Sequence, residues 1–223
     1  MSKTIITAVD ETDLDSFKKV IDSLDSDLCM LKIGSVSFNA FGHEAIFYAS
    51  KKGFDIFLDL KLHDIPNTVK KSIEGLKSLP ISMITLHTSG GIKMMQSAMD
   101  AVKGSKIKIF GVTALTSLSD DDTNQIYQRD ASSQVNAMLD LAEESGIDGV
   151  VCSPHELNLV SKRVGLLSIT PGIRLVDTDD DQRRVMTPKQ AIELGADYLV
   201  IGRPITASDD ISASLKEIYK SIQ

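Results

Sequence analysis

Short runs of aliphatic and β-branched residues recur eight times along the chain: TIITAVD, LCMLKIG, DIFLDLK, MITLHT, IKIFGVT, GVVCS, LLSIT and YLVIG. Each is too short for a helix and too continuously apolar for a strand with one wet face, which is the pattern of strands covered on both sides. Between them, apolar positions return at helical spacing, as in Leu14, Phe17, Ile21 and Leu24, and again in Val135, Met138, Leu139 and Ala142. Ser153-Pro154-His155-Glu156 and Thr187-Pro188-Lys189-Gln190 read as capping boxes with proline at the first helical position. Gly53, Gly146 and Gly195 stand where helices should stop before the next strand.

Eight strands alternating with helices predict an α/β chain folded as a single (β/α)8 TIM barrel over residues 1–223. The rival is an open, doubly wound sheet, but no G-x-G-x-x-G follows the first strand, where AVDETD stands instead. With 42% hydrophobic and 25% charged residues the composition is that of an ordinary globular protein. A net charge of −7 argues against general nucleic-acid binding, which needs basic patches, yet leaves room for a small anion held by a local cluster of cations. The opening MSKTIITAVD has no apolar signal core, and no run approaches the roughly 18 residues of a membrane span, so a cytoplasmic protein without membrane contact is expected. Cys29 and Cys152 lie far apart in apolar segments without metal-ligand spacing and read as reduced core thiols, a disulfide being the alternative.

A barrel carries its active site at the C-terminal ends of its strands. Those ends are Asp10, Lys32, Asp59 with Lys61, His87, Thr113, Ser153, Pro171-Gly172 and Gly202-Arg203, and nearly all are polar or glycine. Within FLDLKLHDIPNTV, Asp59 and Lys61 project to the same side of a strand, with Asp64 next in the loop and Lys32 on the neighbouring strand. Cation and anion then alternate as Lys32, Asp59, Lys61 and Asp64, an order that keeps each group ionised away from water, because opposite charges about 4 Å apart attract by roughly 4 kcal/mol at an effective dielectric near 20. Such an array serves either catalysis or an interior ion-pair network that only fixes the strands. TPGIR closes the seventh strand and IGRP the eighth, and loops at those places in barrels often cradle a phosphate. Gly172 and Gly202 permit close approach and Arg203 adds a charged fork, although ordinary loop glycines would look the same. The acidic segment LVDTDDDQRRVM between them, which carries Gln182, reads as a lid.

FLDLKLHDIPNTV, together with LKIG, VTALTS, TPGIR, DQRRVMTP and YLVIGRP in this order, resembles the bacterial type of the orotidine 5′-phosphate decarboxylase family from Asp10 to Arg203. D-x-K-x-x-D alone also occurs in phosphosugar decarboxylases and synthases of the same superfamily; the H-D-I-P-N-T extension and D-Q-R-R are more specific. The resemblance implies a lyase that converts orotidine 5′-monophosphate to uridine 5′-monophosphate and CO2, the last step of de novo pyrimidine synthesis, with no metal or organic cofactor. It implies that Lys32, Asp59, Lys61 and Asp64 form the catalytic array. It further implies that Asp10, Thr68, Thr116, Arg174, Gln182, Gly202 and Arg203, with Lys32 and Asp59, bind the nucleotide. Ser117 and Ser119 remain alternatives to Thr116 for the hydroxyl facing the pyrimidine.

On the same ground Lys61 would stabilise the C6 carbanion and protonate it, Asp59 would stand near the departing carboxylate, and Lys32 and Asp10 would hold ribose hydroxyls. Gly202, Arg203 and Gln182 would grip the phosphate. A homodimer with shared sites is also implied, Asp64 and Thr68 coming from the other subunit. The alternative activity is that of a magnesium-dependent phosphosugar lyase on the same scaffold. Of the histidines, His63 is expected to point away from Lys61 and Asp64 into a packing or interface role. His87 is expected at the pocket floor, and His43 and His155 on helix surfaces.

Overall fold

A computed structural model describes residues 3–174 and 186–223. All eight apolar runs form strands: β1 (Ile5–Val9), β2 (Cys29–Gly34), β3 (Ile56–Leu62), β4 (Met83–His87), β5 (Lys108–Val112), β6 (Gly149–Val151), β7 (Leu167–Thr170) and β8 (Tyr198–Ile201). Every neighbouring pair is parallel, and β1 closes on β8 through Ile5↔Leu199, Ile6↔Val200 and Thr7↔Ile201. The closed barrel excludes the open doubly wound sheet.

Side-chain alternation splits the apolar residues into two cores. In β3, Ile56 and Leu58 face the helices while Phe57 faces the barrel interior. The outer core lies between strands and helices. There the helix Leu14–Asp22 buries Phe17, Val20 and Ile21, and the helix Ala131–Ser145 buries Val135, Met138, Leu139 and Ala142. The inner core stacks Ile6, Met30, Phe57, Met83, Phe110 and Tyr198, with Phe110 edge-on to both Phe57 and Tyr198 at centroid distances of 6.4 and 6.2 Å. This plug fills the barrel, so a ligand is admitted only above it, at the C-terminal mouth.

The expected punctuation is present. Thr187 and Gln190 form a reciprocal capping box at the helix Pro188–Glu193. Ser153 and Glu156 form another, but it opens a 3-10 turn, Pro154–Glu156, followed by the four-residue helix Leu157–Val160. Gly53, Gly146 and Gly195 all have positive φ at helix ends. Cys29 and Cys152 are free and buried; burial pushes the Cys29 thiol up to about 11 and raises that of Cys152 further. Among the described residues, no helix is long and apolar enough to cross a membrane.

Candidate active site

β1, β2 and β3 each present an inward position at the mouth just above the apolar plug. Met30, Lys32 and Gly34 share the inner face of β2, as Phe57 and Asp59 do on β3, and the register sets Gly34 beside Asp59. From this scaffold the charged groups meet. Lys61 Nζ lies 2.7 Å from Asp59 Oδ2, Lys32 Nζ lies 3.6 Å from the same oxygen, and Lys32 Nζ is 3.4 Å from Asp10 Oδ1. Negative and positive groups thus alternate along Asp10, Lys32, Asp59 and Lys61. Burial alone raises the Asp59 carboxyl, but the ammonium charges of Lys32 and Lys61, with hydrogen bonds from Lys61 and Thr85, hold it below the ordinary carboxylate range. The carboxylate therefore stays ionised although the residue is 7% exposed.

Lys61 reaches this position by a route that simple alternation does not describe. Its φ is +51°, in the left-handed region that a side chain with Cβ disfavours. Pairing of β3 with β4 runs Leu58↔Ile84 and then Leu62↔Leu86, so β3 advances four residues while β4 advances two. The strand bulges at this point.

The array forms one wall of a cavity of about 530 Å³. Ala8, Phe57, Val112, Val151, Ile169 and Val200 give it an apolar lining, and Gly172, Arg174, Gly202 and Arg203, from the ends of β7 and β8, line it too. Four cations, Lys32, Lys61, Arg174 and Arg203, face three carboxylates, Asp10, Glu11 and Asp59, so the lining is locally cationic in an acidic chain. Among the described residues, no group of three or more His, Cys, Asp or Glu side chains is placed to hold a metal ion.

Residues 3–218 match the orotidine 5′-phosphate decarboxylase / HUMPS family. The chain belongs to that family. It is 45% identical over 221 residues to the orotidine 5′-phosphate decarboxylase of Wolbachia pipientis subsp. Culex pipiens, covering 98% of each chain. It is 43% identical over 229 residues to that of Shewanella sediminis, covering 99% of this chain and 97% of the relative. A crystal structure of orotidine 5′-phosphate decarboxylase from Lactobacillus acidophilus superimposes with a TM-score of 0.87 at 35% identity over the whole of both chains. An uncharacterized conserved protein from Geobacillus kaustophilus follows at a TM-score of 0.84 and 28% identity, covering 98% of this chain and all of that one. Kinship of this extent makes the chain an enzyme of the family.

Of the residues expected from the family pattern, Asp10, Lys32, Asp59, Lys61, Thr116, Arg174, Gly202 and Arg203 line this cavity together. Ser119 is occupied in capping the helix Asp120–Tyr127, accepting from the Asp122 N–H and donating to its carboxylate, and Ser117 does not line the cavity. That leaves Thr116 as the hydroxyl facing the pocket. Arg174 is buried, and its guanidinium donates to the Ile173 carbonyl at 3.0 Å. Gln182 and the expected lid lie outside the described residues; the flanking ends are joined by Arg174 N–H to the Met186 carbonyl at 3.0 Å and Met186 N–H to the Gly172 carbonyl at 3.2 Å.

Asp64 does not line the cavity of its own chain: past Leu62 the backbone leads to the helix Pro66–Leu76, and the exposed Asp64 carboxylate accepts from the Ile65 N–H at 2.7 Å. Within the chain, Asp10 is the fourth member of the alternation. Thr68, on that helix, is likewise exposed and away from the cavity. Nor does His87 form the pocket floor; it packs against His63 with ring centroids 5.3 Å apart, and burial, then the charges of His63 and Lys61, lower its pKa. Thr113 and Ser153, polar strand ends, also serve the scaffold, Thr113 donating to the Val151 carbonyl at 2.9 Å and Ser153 capping its turn. Glu11, Thr206 and Ala207 line the cavity without having been singled out, since no motif distinguishes them.

Proposed function

We propose that the chain decarboxylates orotidine 5′-monophosphate to uridine 5′-monophosphate and CO2, in the cytoplasm, as the last step of de novo pyrimidine synthesis, without a metal or organic cofactor. The observation that carries this reading is the alternating chain Asp10–Lys32–Asp59–Lys61 in the lining of a cavity that Gly202 and Arg203 also line. A volume of about 530 Å³ suits a mononucleotide.

When the bond between C6 and its carboxylate breaks, the electron pair stays on C6, in the plane of the ring, where no adjacent carbonyl delocalises it. A fixed positive charge must meet it. Lys61 fills that role: its ammonium stabilises the carbanion and then gives C6 a proton, and solvent reprotonates the amine. Asp59, ionised beside it, keeps Lys61 charged and aimed. Preorganisation of these charges, in a site that needs no solvent rearrangement, carries more of the effect than repulsion of the bound carboxylate. Lys32 and Asp10 take ribose hydroxyls, Thr116 the pyrimidine, and Gly202, Arg203 and Gln182 the phosphate, with Arg174 a further nucleotide-binding residue. Binding energy from that remote phosphate is available for assembling the array.

The array ends at Lys61, and we assign its completion to a second copy of the chain. Asp64 and Thr68 are exposed, and Ile65 between them is 67% exposed, an apolar group placed as for burial by a partner. In a two-fold dimer each subunit would lend these residues to its neighbour's cavity.

The absorbance of orotidine 5′-monophosphate, followed with wild type and Lys61→Ala, tests the reading. Wild type is expected to consume the nucleotide, before and after exhaustive EDTA treatment, and the variant to lose many orders of magnitude in kcat. No turnover by wild type rejects the activity, loss of turnover after EDTA points to the magnesium-dependent lyases, and a near-normal rate in the variant rejects Lys61 as proton donor.

A further inference from the structure

Thr85 stands at the middle of β4, fully buried, beneath the bulge that carries Lys61. It does not line the cavity. Its hydroxyl nevertheless touches both halves of the central ion pair: it donates to Asp59 Oδ1 at 2.8 Å and accepts the Lys61 backbone N–H at 2.9 Å. Each bond has a distinct mechanical effect. The first fixes the rotation of the Asp59 carboxylate, so that its other oxygen, Oδ2, is turned toward the ammonium groups of Lys61 and Lys32. The second supplies an acceptor to an amide at the point where the β3–β4 register shifts. A lysine in the left-handed region persists only where its surroundings hold it there.

We infer that Thr85 is a positioning residue of the decarboxylation site, one hydroxyl that sets the carboxylate rotation of Asp59 and the left-handed bulge of Lys61 together. The inference rests on the proposed activity. A residue of type Val at this place has the same shape and neither bond, so a half-buried Lys61 amide and a buried Asp59 oxygen lose this partner. The bulge then relaxes and the ammonium moves relative to the reacting carbon. A displacement of about 1 Å in such a group lowers turnover by the order of a hundredfold.

The test compares Thr85→Val and Thr85→Ser with wild type in kcat, KM and thermal midpoint. The expected result is a fall in kcat of the order of a hundredfold for Thr85→Val with KM little changed, because the phosphate and ribose contacts remain, and recovery of most of kcat in Thr85→Ser. A kcat for Thr85→Val near that of wild type overturns the inference. So does equal impairment of Thr85→Ser, which would make the methyl group, hence packing, responsible. Should Thr85→Val not fold, Thr85→Ala and Thr85→Ser form the comparison, since they differ only by the hydroxyl; equal kcat in those two also overturns it. If wild type itself turns over no orotidine 5′-monophosphate, the activity falls, and crystal structures of wild type and Thr85→Ala then decide the Thr85 question separately. Loss of the positive φ at Lys61 together with separation of its Nζ from Asp59 supports the role, and an unchanged bulge removes it.

Discussion

Gly34 lies directly under the hinge of the charge array. A Cβ built there would stand 2.8 Å from Lys32 Nζ and 3.0 Å from Asp10 Oδ1, so the absence of a side chain is what lets the Lys32 ammonium fold back between two carboxylates. The backbone of Gly34 is extended, with φ −93°, and any residue adopts it. Gly34→Ala is therefore expected to fold with a thermal midpoint near wild type, because the displaced atom is the free end of a flexible chain. Its kcat should fall at least about tenfold, the equivalent of about 1.36 kcal/mol of lost transition-state stabilisation. Steady-state kinetics beside a thermal melt check this; equal activity would mean that Lys32 works from another position. Residue identity thus matters here in two different ways. Lys32, Asp59 and Lys61 were recognisable as chemistry because charge among apolar residues demands a reason. Gly34 and Thr85 were not, since a glycine and a threonine in apolar strands are unremarkable until their neighbours across the sheet are known.

Among the elements, β3 shows where periodicity stops being a guide. Alternation correctly sends Ile56 and Leu58 outward and Phe57 inward, but at Lys61 the left-handed φ and the shift against β4 end the regular pleat. Asp59 and Lys61 still meet, through a bulge rather than through an ideal i, i+2 relation. Helix termini were more predictable because capping is a local contract between residues three apart. The Thr187 hydroxyl accepts the Gln190 N–H while the Gln190 side chain accepts from the Thr187 N–H and hydroxyl, and the helix they open is only six residues long. Removing the cap by Thr187→Ala should cost about 1 kcal/mol. In a chain of this length that corresponds to a fall in thermal midpoint of roughly 2–4 °C. Thr187→Ser should recover most of it. A melt that does not distinguish Ala from Ser would show that packing of Pro188 and Ala191, both buried, already secures the helix.

For the whole molecule, the outward placement of Asp64 and Thr68 makes the isolated chain an incomplete version of the proposed site. Shared sites have a consequence that a self-sufficient subunit cannot imitate. Lys61→Ala and Asp64→Ala chains, each inactive alone, should regain turnover when unfolded together and refolded into mixed dimers. One of the two cavities in such a dimer combines wild-type Lys61 with wild-type Asp64, so the mixed species should approach half the wild-type turnover per dimer. Activity measured on the purified mixed species, with sedimentation to establish that dimers formed, decides it. No recovery in folded mixed dimers would show that each chain supplies its own Asp64.

The amino-acid order alone determined the eight-strand rhythm, the caps and the positions of the charged residues, because apolar periodicity, proline, glycine and capping hydroxyls act over a few neighbouring residues. It also pointed to the cluster Lys32, Asp59 and Lys61 and to the glycines after β7 and β8, since barrel topology carries every strand end to one mouth. Tertiary structure decided what depends on distances between strands: that Asp10 joins Lys32, Asp59 and Lys61 as a fourth charge within the chain, that His87 pairs with His63 instead of lining the pocket, and that Ser119 is spent on a helix while Thr116 faces the cavity. It also placed the Thr85 hydroxyl between Asp59 and Lys61. Those outcomes turn on differences of one or two ångströms in where a backbone bends, and burial, register and competing hydrogen bonds set them together only once all eight strands have closed.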